Sequence, residues 1–175
     1  LHTPFWDVVF YWITGKTLWI PLYLYLFYLT YLKFGKKAFV LLLFFGLLIF
    51  IGDRASVELF KNVFERLRPS HNPMLNGLVH LVDGKGGQYG FVSSHATNCF
   101  ALAIFSILLL RSKFKWILSV LLFWAVLVSY SRVYVGVHYP ADLLGGAILG
   151  TAVAFFVFWL LTLVNQKWKL KINDL

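Results

Sequence analysis

Residues 38–60 read AFVLLLFFGLLIFIGDRASVELF. A helix needs about 20 mostly apolar residues to cross a bilayer, so this stretch alone suggests a membrane-spanning segment. Its ionisable residues, Asp53, Arg54 and Glu58, gather towards one end. Ionisable groups inside a span point to function by default. Here Arg54 and Glu58 are four residues apart and can pair, with Glu58 also near Lys61, so structural support is preferred over direct catalysis.

Working outward, four more segments can span: 17–32, 95–110, 116–131 and 142–164. Ahead of them, PFWDVVFYWITG (4–15) is too short to cross, at about 15 Å for ten helical residues. Its Phe5, Trp6, Tyr11 and Trp12 suit a helix lying in the interfacial aromatic belt. The expected fold is all-α: a polytopic membrane helical bundle of about five transmembrane helices plus an N-terminal interfacial helix, one domain over residues 1–175. Composition points the same way and excludes an ordinary soluble domain: 60% of the residues are hydrophobic, 13% are charged, and the mean hydropathy is +0.76. The chain opens on Leu1 rather than methionine, so an N-terminal segment is expected to precede it; nothing reads as a cleavable signal peptide.

The net charge of +9 would suit a nucleic-acid binder, but its placement does not. Of sixteen Lys and Arg, nine fall in three clusters between or after apolar runs: Lys33, Lys36, Lys37; Arg111, Lys113, Lys115; Lys167, Lys169, Lys171. That is the pattern of cytoplasmic helix ends, so nucleic acid is excluded as a partner and the bilayer is the expected environment. The clusters follow the first, third and fifth spans. The 61–94 connection and the short 132–141 loop then face outside. Cys99 has no partner for a disulfide or a metal and reads as a packing residue. Gly146 and Gly150 stand at GxxxG spacing, which suits tight packing within the bundle better than a dimer contact; oligomeric state is not set by the sequence.

Three polar groups share that outer face. In KNVFERLRP (61–69), Lys61 and Arg68 are seven apart, about two helical turns, so both are expected on one helix face before Pro69 ends it. In FVSSHATN (91–98), Ser93 and Ser94 can cap the third span, whose free N–H groups suit an anion. In YSRVYVGVHYPADLLGG (130–146), Arg132, His138 and Asp142 come close together. Fixed cations at Lys61, Arg68 and Arg132 suit the charge that spreads over a transferring phosphoryl group. His138 and His95 can serve as nucleophile and proton donor. Asp142, four residues after His138, can hold one ring nitrogen and free the other. No carboxylate or cysteine cluster suggests a metal site, so catalysis without metal or other cofactor is expected.

These residues resemble the three-part signature of the type 2 phosphatidic acid phosphatase superfamily, which includes membrane lipid phosphatases and vanadium haloperoxidases. The family pattern K-x6-R-P, P-S-G-H, S-R-x5-H-x3-D is matched by Lys61…Arg68-Pro69, Ser93-Ser94-His95 and Ser131-Arg132…His138…Asp142. The second part departs twice, with Val92 for proline and Ser94 for glycine, which bears on fine positioning. The resemblance implies a phosphohistidine at His138, protonation of the leaving group by His95, orientation of His138 by Asp142, and phosphate binding by Lys61, Arg68, Ser93, Ser94 and Arg132. It implies a lipid phosphatase at the outer face of a bacterial inner membrane, acting on a lipid phosphomonoester or pyrophosphate: undecaprenyl pyrophosphate, phosphatidylglycerol phosphate, phosphatidic acid or lipid A phosphates. The alternatives are a transporter or channel on the same bundle, which would need polar residues down to midplane depth, and a catalytically inactive lipid-phosphate-binding protein. Arg66 and Lys85 read as solvated cations or contacts to a second phosphate, and His71 and His80 as non-catalytic. The glycine-rich loop over 70–90 suits either a mobile lid or a static cover.

Overall fold

The computed structural model describes residues 2–170 and residue 172, so Lys171 of the third basic cluster lies outside the described residues. Helix α1 covers Pro4–Thr14. Thr3 caps it by accepting from the Trp6 amide at 3.4 Å, and Pro4 takes the first turn, where a missing N–H costs nothing. Phe5, Trp6, Tyr11 and Trp12 stay exposed, as an interfacial helix requires.

From Thr17 to Phe64 the chain is helical for 48 residues. A straight rod of that length would measure about 72 Å, more than twice the hydrocarbon thickness of a bilayer. The run folds back at Gly35, whose φ of +56° favours glycine. Its limbs are α2 (Ile20–Phe34) and α3 (Ala38–Ala55), with the Phe27 and Phe39 rings 5.6 Å apart across the bend. Helix α3 continues through a π-helical stretch, Ser56–Lys61, into a single turn, α4 (Asn62–Phe64). Three more helices follow: α5 (Ser94–Leu110), α6 (Ile117–Tyr134) and α7 (Pro140–Trp168). The architecture is an all-α bundle of five long helices. Thr17–Phe64, Ile117–Tyr134 and Pro140–Trp168 are long and apolar enough to cross a membrane, and Ser94–Leu110 is a shorter apolar helix. Helices run past the expected bounds at several ends; α6 continues to Tyr134, so Arg132 belongs to its last turn rather than to a loop.

Helix α5 is the centre of the core, with Ala96, Ala101, Ala103, Phe105, Leu109 and Leu110 fully buried. It lies hard against α7. A Cβ on Gly150 would stand 2.2 Å from the Thr97 carbonyl oxygen, and one on Gly146 would stand 2.7 Å from that of Ser93. The GxxxG pair is therefore used inside the chain, where it lets two backbones touch. Large apolar side chains such as Leu43, Phe123, Leu144 and Ile148 point outward, the pattern expected where hydrocarbon is the solvent.

At one end of the bundle Lys33 donates to the Leu109 carbonyl and to Ser112 Oγ, both at 2.7 Å, and Lys113 donates to the Leu32 carbonyl at 2.8 Å. The first two basic clusters thus meet there, closing helix C-termini whose last carbonyls lack helical partners. Arg54 and Glu58 pair at 2.8 Å, but both are more than half exposed, so this contact is worth at most about 1 kcal/mol.

Candidate active site

The chemistry-bearing residues collect at the other end. The 61–68 stretch reaches it differently from expectation. The helix stops at Phe64, Glu65 turns left-handed with φ 45°, and residues 66–68 run extended beside 88–90. Arg68 N donates to the Gln88 carbonyl at 3.1 Å, Gly90 N donates to the Arg66 carbonyl at 2.9 Å, and Leu67 bridges Tyr89. A residue before proline avoids helical backbone, and this pairing supplies the partners that a helix would have given. Lys61 and Arg68 do share the site, although helical periodicity is not what joins them.

Extended backbone sends alternate side chains the same way, so Arg66 follows Arg68 inward. This corrects the reading of Arg66 as a solvated cation. Its guanidinium is ion-paired with Asp142, which is fully buried. It also lies 4.8 Å over the Phe91 ring and 5.2 Å over that of Tyr139. The signal that would have found it was the two-residue spacing to Arg68 just ahead of a proline.

Arg68 is 9% exposed, and its Nε donates to the Tyr89 carbonyl at 3.1 Å. A Cβ on Gly86 would lie 2.8 Å from Arg68 Nη1, and one on Gly90 would lie 3.1 Å from Arg68 Cγ and 3.2 Å from Asp142 Oδ2. These loop glycines form the bed on which the arginine lies.

At the start of α5, Ser93 is fully buried and its Oγ accepts from the Ala96 amide at 3.4 Å, so this side chain caps the helix. Ser94 Oγ accepts from Lys61 Nζ at 2.6 Å and lies 2.6 Å from Ser56 Oγ. Lys61 thus turns to Ser94; Glu58 bonds Arg54 instead. The His95 side chain, one residue on, makes no hydrogen bond among the described residues, and Arg132, Lys16, His138 and Arg68 lie close enough to act on it electrostatically.

The α6–α7 turn brings the third group. Arg132 is 9% exposed and donates to Thr14 Oγ1, while its buried Nε has no partner among the described residues. Gly136, at φ +79°, lets the turn pass beneath the outer loop; a Cβ there would sit 2.5 Å from the His80 carbonyl oxygen. Pro140 opens α7 and Asp142 occupies its first turn, the preferred place for an acid. Asp142 Oδ2 accepts from the Tyr139 amide at 2.9 Å and stands 3.1 Å from His138 Nδ1. A buried carboxylate there requires Nδ1 to carry the proton, which leaves the Nε2 lone pair free. Burial outweighs the pull of Asp142, and Arg68 and Arg132 add to it, so the His138 imidazole is held down to about 4. It is neutral at physiological pH.

Below this group lies an apolar cleft of about 430 Å³. Tyr23, Leu26 and Phe27 of α2 face Leu42, Phe45 and Ile49 of α3 across it, with Leu102, Trp124 and Val128 behind and Lys16, Asp53, Ser94 and His95 at its polar end. Cys99 lines the cleft as a buried apolar residue. His71 lies 3.2 Å from Ser70 Oγ, and His80 contacts Asp7 of α1; neither is among the residues gathered here.

Residues 37–166 match the PAP2 superfamily. The chain is 39% identical to a lipid A 4'-phosphatase of Bacteroides thetaiotaomicron, over 95% of this chain and 73% of that one. It is 38% identical to a lipid A 4'-phosphatase of Porphyromonas gingivalis, over 94% of this chain and 70% of the other. Its fold is similar to the crystal structure of a transmembrane PAP2-type phosphatidylglycerolphosphate phosphatase from Bacillus subtilis, with a TM-score of 0.67 and 26% identity over 91% of this chain and 78% of that one.

Proposed function

The chain belongs to the PAP2 superfamily of membrane lipid phosphatases, and on that premise we propose that it hydrolyses a lipid A-type phosphomonoester without a metal, through a phosphohistidine on His138. The observation that carries this reading is a junction. The apolar cleft is lined by Ser94 and His95 and lies close to the buried Arg68 and Arg132, and Arg132 Nε has no partner among the described residues. A slot lined by hydrocarbon and capped by spare donors suits a ligand that is lipid at one end and anion at the other. Two relatives with lipid A phosphatase activity in their names align over nearly the whole chain, which favours this class among lipid phosphates.

In the proposed reaction Lys61, Arg68 and Arg132 bind the three equatorial phosphate oxygens, whose charge also relieves repulsion among the cations. The amides at the start of α5, capped by Ser93, add donors, and Ser94 holds Lys61 until substrate arrives. His138 Nε2 bonds to phosphorus as the bond to the lipid oxygen breaks, and His95 gives that oxygen a proton. Asp142 stabilises the imidazolium that forms. Water then attacks the phosphohistidine, returns a proton to His95 and releases inorganic phosphate. In the membrane we place five crossings, the α2–α3 run supplying two, with α1 in the interface and the site in the outer leaflet of a bacterial inner membrane.

Phosphate release from lipid A, phosphatidylglycerol phosphate, phosphatidic acid and undecaprenyl pyrophosphate, measured with EDTA present, tests the proposal. Lipid A is expected to be the best substrate. Faster release from the pyrophosphate would overturn the monoester assignment, and release from none would overturn the enzyme reading.

A further inference from the structure

We propose that His2, Asp7 and His80 form a binding site for a borderline divalent transition metal of the zinc class, which clasps the outer loop to the interfacial helix α1. One ligand atom from each residue lies within 4.8 Å of the other two. His80 Nε2 is 2.9 Å from Asp7 Oδ2, and His2 Nδ1 is 3.7 Å from Asp7 Oδ1. Ligands about 2.0–2.1 Å from a tetrahedral ion stand roughly 3.4 Å from one another, so small shifts of these side chains, ending the direct His80–Asp7 contact, would bring one atom of each to such an ion. Two imidazoles and a carboxylate are a donor set that suits zinc and leaves room for water.

The surroundings of Asp7 support the same reading. Tyr134 OH, at the end of α6, donates to Asp7 Oδ1 at 2.9 Å. A ligating carboxylate characteristically takes such an outer hydrogen bond, which fixes its orientation. The histidines stay open enough for an ion to enter, with side-chain exposures of 40% for His2 and 45% for His80. The three ligands come from the stretch before α1, its first turn and the loop, which are separate pieces of chain that an ion would tie together. Below them Phe10, Tyr134, Val135, Val137 and Val82 make a small apolar cluster of their own, and the His80 carbonyl rests on Gly136. The clasp is a structural device standing apart from the phosphate chemistry.

The test uses the full chain without a polyhistidine tag, stripped with EDTA and titrated calorimetrically with zinc chloride, at a pH where imidazoles are neutral. One equivalent should bind. His80→Ala and Asp7→Asn should each weaken binding at least tenfold, and Tyr134→Phe should weaken it about tenfold. Zinc should slow proteolysis within 72–88 in the unaltered chain and have no such effect in His80→Ala, whose phosphatase turnover should stay within twofold and certify its fold. No binding by the unaltered chain would overturn the proposal. Unchanged affinity in both His80→Ala and Asp7→Asn would also overturn it, by assigning the zinc to other histidines.

Discussion

Both ends of the bundle are rich in lysine and arginine, yet they use those cations in opposite ways. At the basic end Lys33 and Lys113 donate to the carbonyls of Leu109 and Leu32, completing helices whose last acceptors would otherwise lack partners. At the site end Lys61, Arg66, Arg68 and Arg132 converge on a region whose one fully buried carboxylate, Asp142, is taken up by His138, Tyr139 and Arg66. Arg132 Nε keeps a buried donor with no acceptor among the described residues. A count of charges tells which face of the membrane an end lies on. An account of donors and acceptors tells which end does chemistry.

Substitutions across the two ends should separate these uses sharply. The largest effect is expected from His138→Ala, which removes the proposed nucleophile; turnover of every substrate should fall to background in a phosphate-release assay. Next comes His95→Ala. A lipid alkoxide needs a proton as it leaves, so monoester hydrolysis should drop by about 10²–10⁴-fold, while a pyrophosphate or aryl phosphate, with a less basic leaving group, should lose far less. Equal losses on both classes would move His95 from acid to phosphate ligand.

Arg132→Ala should cost about 10²–10³-fold in kcat, the usual loss for one donor to a developing oxyanion. Arg66→Gln tests a finer point, whether Arg66 acts through Asp142 rather than on phosphate. It should lower kcat by about 10–100-fold and leave KM nearly unchanged; a rise in KM instead would make Arg66 a substrate contact. The smallest effect belongs to the basic end. Lys33→Met should leave turnover within twofold and reduce stability by about 1 kcal/mol, the net value of a hydrogen bond. Turnover as impaired as in Arg132→Ala would end the contrast between the two ends.

Much of this was legible from apolar run lengths and the spacing of a few polar residues. The interfacial helix announced itself through its short length and a belt of aromatics, and Asp142 through its four-residue spacing from His138. What could not be read depended on contacts between distant pieces of chain. Glu65 adopts a positive φ that non-glycine residues seldom take, so nothing local marks the end of the helix there. The pairing of 66–68 with 88–90 then decides that Arg66 turns inward. The glycines at 86 and 90 left a mobile lid and a static cover equally open; their use becomes visible only when Arg68 lies across them. The cleft, likewise, is a space between α2 and α3, and a sequence records walls without recording the gap between them.

The contact between α5 and α7 leaves so little room that even a methyl group at position 150 is excluded. Those two helices begin just after their caps, Ser93 and Tyr139, and so carry His95, Asp142 and the approach to His138. Much of the apolar lining of the cleft comes instead from the α2–α3 hairpin, a different piece of chain. Heredity can therefore vary the two separately. Substitutions in the hairpin would reshape the space offered to an apolar chain while the paired helices hold the polar residues in place, so a new lipid could be accommodated without rebuilding the reaction.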